Sequence, residues 1–259
     1  MTPDERLAKI AGQEFPMIPT PPSLTIARSK AGEKTLIDKC RKWLDSQDRA
    51  EGIHASDITT SPRISFWRKM KPSPLPDRLV QIFMVGRILH TLVFYAYDMK
   101  PLTPELDSDE GSLKAEHLGG LLYSTDKIIK ENIVELKTTR KPNEPKDTSD
   151  LQIYVPQLLV YMAARKQTTA WLWVLYINLK DKSGTSPEFR AYKLTISKDE
   201  LEKLQLHVRA AVGVFDKAVK TKDHTILPLC PAWMCSRSRC EFYDDCKPEG
   251  RWKPAKEKK

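Results

Sequence analysis

Two strand-like runs, Gly120 to Ile129 (GLLYSTDKII) and Ile133 to Thr139 (IVELKTT), flank Lys130-Glu131-Asn132. Apolar runs this close together, separated by a few polar residues, pair as an antiparallel hairpin. A two-residue loop is either Lys130-Glu131, with Ile129 opposite Asn132, or Glu131-Asn132, with Lys130 opposite Ile133. Strand side chains alternate between faces, so both registers put Asp126 on the face of Glu135 and Lys137. A three-residue loop would part them, so the pairing demands an even loop or a compensating bulge.

That face is chemically unusual. Two carboxylates from adjacent strands make a hard oxygen site suited to Mg²⁺ or Mn²⁺, and such ions activate water and offset charge on a phosphodiester. Lys137, two residues beyond Glu135, points the same way and can orient a nucleophilic water or stabilise that charge. The plainer alternative is a solvated hairpin with a cross-strand ion pair worth about 0.2–1 kcal/mol.

The chain has 259 residues with a formal charge of +9, which favours an anionic partner. Its 40% hydrophobic and 30% charged content fits a globular chain of one large domain plus an appendage. Apolar runs such as Ala170 to Ile177 fall short of a membrane span, and MTPDERLAKI does not resemble a signal peptide. A cytoplasmic, reducing location with no membrane association is therefore expected.

Five prolines in the first 22 residues predict an extended arm. Helices are expected over Thr35 to Gln47, with Cys40 near its apolar face, and over Leu79 to Asp98. In the second, Ile82, Val85, Leu89, Leu92, Val93 and Ala96 read as a core stripe, and His90 shares a face with Gly86. Ser149 with Gln152 resembles a capping box opening a helix to about Arg165 despite Pro156. Strands follow at Ala170 to Asn178 and Glu188 to Ile196. Ser197 with Glu200 then caps a helix striped by Leu201, Leu204, Val208, Ala211, Val212, Phe215 and Ala218. The fold expected is α/β, a small mixed sheet flanked by helices, with a C-terminal cysteine-bound subdomain. The divisions are an arm and helix over 1–52, a core over 53–222, a cysteine subdomain over 223–246 and a basic tail over 247–259.

Cys230, Cys235, Cys240 and Cys246 fall within 17 residues, beside Trp233, Phe242 and Tyr243. In a chain without a leader, such crowding reads as a metal or cluster site. Four thiolates can hold a [4Fe–4S] cluster or Zn²⁺; the absence of tight C-x2-C pairs disfavours zinc.

Taken in order, Gly86-x3-His90, Asp126, Glu135-Leu136-Lys137, Gln157-x3-Tyr161 and the clustered cysteines resemble the RecB-like PD-(D/E)XK nucleases. Among these the set is most similar to the iron–sulfur exonucleases of the CRISPR-associated "Cas-four" and AddB-type group. The resemblance spans Ile53 to Cys246. It implies His90, Asp126, Glu135 and the Leu136 carbonyl as metal ligands and Lys137 as the catalytic lysine. It also implies that Gln157 and Tyr161 position the DNA backbone, with Arg140 close by. In that group the first cluster ligand lies upstream, where this chain has Ser61, so either Cys230 replaces it or Cys40 does; Cys230 is the favoured reading.

The basic charge concentrates in Ser61 to Arg78 (net +4), Lys137 to Lys146 (+3) and Lys247 to Lys259 (+4). In the first, Arg63, Arg68 and Trp67 combine phosphate contacts with a stacking ring, as single-strand binders do; a solvated face with buried aromatics is the alternative. The function implied is a metal-dependent DNA exonuclease acting on single-stranded ends in recombination, repair or CRISPR-type processing. A structure-specific endonuclease and a non-catalytic iron–sulfur DNA-binding subunit are the alternatives. No phosphate-binding G-x4-G-K-[ST] loop is present, so a helicase, recombination or CRISPR adaptation partner would be another chain.

Overall fold

A computed structural model describes residues 30–45, 51–59, 61–98, 113–139, 151, 153–177, 188–232 and 234–249. The proline arm, the Ser149/Gln152 capping pair, Trp233 and Arg140 lie outside these residues. The chain divides into two compact units at Lys39–Cys40, a division crossed by α1 (Lys30–Asp45).

The second unit continues through α2 (Ala55–Ile58), α3 (Pro62–Met70), α4 (Asp77–Asp98), β1 (Leu113–Ala115), β2 (Leu121–Tyr123), β3 (Lys127–Ile129) and β4 (Asn132–Thr139). Then come α5 (Val155–Arg165), β5 (Thr169–Tyr176), β6 (Glu188–Thr195), α6 (Lys198–Thr221) and α7 (Tyr243–Cys246). Strands β3-β4-β5-β6 form one sheet in that order, parallel only between β4 and β5, while β1 and β2 form a separate pair. This is the expected mixed sheet flanked by helices.

The hairpin has the first of the two even registers. Ile129 faces Asn132 and Lys127 faces Val134, leaving Lys130-Glu131 as the loop. Both loop residues have positive φ, 47° and 68°, the signature of the tight turn that matches strand twist. Replacing the pair by Asn-Gly, which adopts those angles with little strain, should raise stability by roughly 1 kcal/mol. Urea unfolding would measure it. One residue inserted in the loop should instead destabilise the hairpin by moving Asp126 off the face of Glu135.

The single strand expected over Gly120 to Ile129 is broken at Ser124–Asp126. At the break the Asp126 side chain, not its backbone, accepts the Leu136 N–H at 2.7 Å. The ladder therefore stops at Lys127, and β2 pairs elsewhere.

Ile133, Glu135 and Lys137 share a face of β4 with Leu172, Val174 and Tyr176 of β5. The main core lies on that side: Leu158, Tyr161 and Met162 of α5 and Val208 and Val212 of α6 pack with Ile133, Leu172 and Val174. Ser197 and Glu200 form the expected capping box, and Leu201, Val208, Val212, Phe215 and Ala218 are buried. Helix α5 begins later than expected, at Val155. Pro156 lies in its first turn, where a missing N–H costs nothing, so the proline opens the helix and is not carried inside it.

Helix α4 departs from expectation. Its stripe is not core: Ile82, Val85 and Leu92 are 51%, 50% and 43% exposed, and Val80 is its only buried residue. Leu89, Leu92, Val93 and Ala96 line an apolar groove of about 710 Å³ above Trp173, Leu175 and Phe189. Among the described helices α4 alone is long and apolar enough to cross a membrane, although the sequence runs suggested none. Its C-terminal half is tied to the sheet through Phe94 and Tyr97 against Trp173, with centroids 6.2 and 5.4 Å apart, and through the Asp98–Lys127 ion pair.

Candidate active site

Hairpin and helix α4 bring His90, Asp126, Glu135 and Lys137 together. Asp126 Oδ1 lies 3.6 Å from His90 Nδ1, while Oδ2 takes the Leu136 N–H. Glu135 is 1% exposed; Oε1 accepts from Lys137 Nζ, and Oε2 is buried with no hydrogen-bond partner. Lys137 also donates to Gln157 Oε1 at 3.1 Å, and Gln157 Nε2 donates to Tyr161 Oη. Tyr161 is 4% exposed, with its ring against Tyr123, so it braces Gln157 from inside the core.

The electrostatics divide the two carboxyls. Burial opposes ionisation of Asp126, but His90, Lys137 and the Leu136 N–H outweigh it and hold its pKa below the ordinary value. For Glu135, burial and then the Asp126 charge push the pKa up to about 8 against the pull of Lys137. Lys137 is held above its ordinary value because Glu135 and Asp126 outweigh its own burial. A buried carboxyl that resists ionisation, with one oxygen unsatisfied, is short of positive charge. A hard divalent cation such as Mg²⁺ or Mn²⁺ fits that need, with Asp126, Glu135 and His90 as its holders. As they stand, no three His, Cys, Asp or Glu side chains among the described residues gather tightly enough to hold an ion. The donors are bonded to one another, His90 to Asp126 and Glu135 to Lys137.

The four C-terminal cysteines all line one small cavity, with Arg63, Ile64, Trp67, Phe242 and Tyr243. Cys40, half-buried on α1, is not among its walls. All five cysteines are free thiols. Burial first, with neighbouring sulfurs adding to it, raises the pKa of Cys230 and pushes Cys240 up to about 11, while N–H groups of Ile64 and Phe242 bond these sulfurs. Four thiols lining one cavity are a donor set of the kind a metal centre uses and would deprotonate, although, like the catalytic donors, no three of them gather tightly enough here to hold an ion.

Helix α3 turns Arg63 and Trp67 toward this cavity, while Arg68 and Lys71, at its C-terminal end, stay exposed. Arg63 is 7% exposed and bonds within the fold; Arg68 bonds Glu241 at 3.1 Å; Lys69 reaches Asp57 and the Gly52 carbonyl; Lys71 pairs with Asp245. Trp67 stacks on Phe242 and tilts against His224, whose Nε2 lies 3.0 Å from the Cys246 carbonyl. Net charge alone did not disclose these partners. Sequence reasoning also passed over His224, which no motif marked, and the Tyr176–Tyr192 hydroxyl pair, 3.2 Å apart on the catalytic face.

Residues 122–247 match the family model of the PD-(D/E)XK nuclease superfamily. Asp126, Glu135, Lys137 and the four cysteines all fall inside the match. No curated protein matches the chain by sequence. Among solved structures, the crystal structure of SSO0001 is similar over 85% of this chain and 96% of its own, at 15% identity and a TM-score of 0.52, a likeness of fold. An alkaline exonuclease from Laribacter hongkongensis is matched over 71% of this chain and 95% of its own, at 12% identity and a TM-score of 0.40. Its complex with dAMP covers 66% and 90%, at 13% identity and 0.40.

Proposed function

We propose that the chain is a metal-dependent deoxyribonuclease that hydrolyses DNA from single-stranded ends. The observation that carries this reading is Glu135: a buried carboxyl with an orphaned oxygen beside Asp126, on the same face as a lysine held by Gln157. The family match over the same residues supports a nuclease, and the preference for ends rests on the resemblance of the sequence motifs to the Cas-four and AddB-type exonucleases alone.

A bound Mg²⁺ or Mn²⁺ would supply a water of lowered pKa and neutralise charge on the scissile phosphate. Asp126, Glu135 and His90 would hold it, with the Leu136 carbonyl as a further ligand. Lys137, charged and fixed between Glu135 and Gln157, would orient the attacking water or stabilise the phosphate oxygens as charge builds. Gln157, braced by Tyr161, keeps Lys137 in place between uses. The cysteine centre, read as [4Fe–4S] with Zn²⁺ as the alternative, would close the core in a reducing compartment.

End-labelled linear and circular single-stranded DNA, each with Mg²⁺, Mn²⁺ or EDTA, test the proposal. Metal-dependent loss of linear DNA with circular DNA intact is expected. Cleavage of circles would make it an endonuclease, and binding without cleavage would remove the catalytic reading.

Metal binding should also depend on pH. Glu135 keeps its proton up to about pH 8, so a divalent ion must displace it. Mn²⁺ affinity should therefore climb between pH 6.5 and 8 and flatten above, with proton release visible by calorimetry in buffers of different ionisation enthalpy. Affinity that does not vary across that range would remove Glu135 from the ligand set.

A further inference from the structure

We infer that Arg63 is the charge partner of the centre held by Cys230, Cys235, Cys240 and Cys246, a positioning residue that makes their thiolate form tenable. The inference rests on reading those cysteines as a metal-binding set. Arg63 is 7% exposed. Its Nε donates to the Leu227 carbonyl at 2.9 Å, its Nη2 to the Thr225 carbonyl at 3.1 Å, and its Nη1 points at Cys246 Sγ at 3.9 Å. Two carbonyls and a thiol engage three of the guanidinium's five N–H groups and leave its charge without an anion in contact. No carboxylate among the described residues forms an ion pair with it. Asp223 feels Arg63 only at a distance and gives its oxygen to the Thr225 N–H and hydroxyl, at 2.8 and 2.6 Å.

A buried guanidinium without an anion is expensive. On the other side of the same cavity wall lies the opposite imbalance. Four thiolates around a 2+ centre carry a net charge of about −2, whether the centre is zinc or a [4Fe–4S]²⁺ cluster. The two deficits face each other across one cavity. The first turn of α3 adds to this, because the Ile64 N–H, which has no partner inside the helix, bonds Cys230. Arg63 thus fastens α3 to the cysteine segment through residues 162 to 183 positions away, and places its charge where the sulfurs need it.

Loss of that charge should loosen the metal and, for an iron cluster, disfavour the reduced state, which carries one more negative charge. The test uses full-length protein purified anaerobically, with metal content, chelator-driven release and reduction potential measured on wild type, Arg63→Gln and Arg63→Lys. Arg63→Gln keeps donors for the carbonyls but no charge, and release should quicken about 10–100-fold, with the potential more negative. Arg63→Lys should recover most of both. Asp223→Asn, a change at a half-buried position that leaves the oxygen facing Thr225, should act in the opposite sense and decides the matter if neither Arg63 variant folds. Equal behaviour of the Gln and Lys variants, wild-type release in Arg63→Gln, or release unchanged or quickened in Asp223→Asn overturns the inference. Wild-type protein without metal would instead overturn the underlying reading of the cysteines.

Discussion

Glu135→Gln and Lys137→Met should each lower DNA cleavage by at least about 10²–10³-fold while leaving the fold intact, measured by single-turnover digestion. Both side chains sit on a face built by the hairpin register, and neither carries the core packing provided by Ile133, Leu172 and Val174. Glu135→Gln makes a second, opposite prediction about stability. Between the ordinary glutamate pKa and about 8, the unfolded chain releases a proton that native Glu135 retains. The native state then binds more protons, so this group lowers stability as pH rises through that window and levels off above it. The glutamine variant lacks that liability. In EDTA it should melt near wild type at pH 5 and several degrees above it at pH 8, by thermal unfolding. An active site that stores destabilisation in this way is expected to gain stability when disarmed.

The second large effect concerns the cysteines. Cys230→Ser should lose the bound metal, and Cys40→Ser should keep it. Cys230 lines the cavity with the other three sulfurs, and Cys40 does not. Because a thiolate centre contributes its binding energy to folding, Cys230→Ser should also unfold at a lower temperature and become sensitive to proteolysis around 227–249. Iron and zinc analysis beside the melting curve checks both. Metal retained in Cys230→Ser and lost in Cys40→Ser would return the fourth ligand to the upstream position.

The parts legible in the sequence were those set by local periodicity. An even loop plus alternation was enough to put Asp126 beside Glu135 and Lys137, and the choice between two registers fell to the positive φ of Lys130 and Glu131. The Ser197/Glu200 capping box needed only four residues of chain. What stayed hidden depended on partners remote in sequence. The stripe on α4 predicted a helix correctly but could not say what lies over Ile82, Val85 and Leu92. Arg63 and Trp67 read as a strand-binding surface because composition records charge and rings, not the carbonyls and sulfur that Arg63 meets, or the His224 and Phe242 rings that Trp67 meets, some 160 residues later. Pro156 opens its helix, whereas the Ser149/Gln152 spacing predicts an earlier start that would carry the proline inside.

Manganese soaked into crystals, located by anomalous scattering, tests the central claim most directly. An anomalous peak in contact with both the Asp126 and Glu135 carboxylates, and absent from Glu135→Gln crystals, is the predicted result. Manganese density found only elsewhere, in protein that still cleaves DNA, would contradict it.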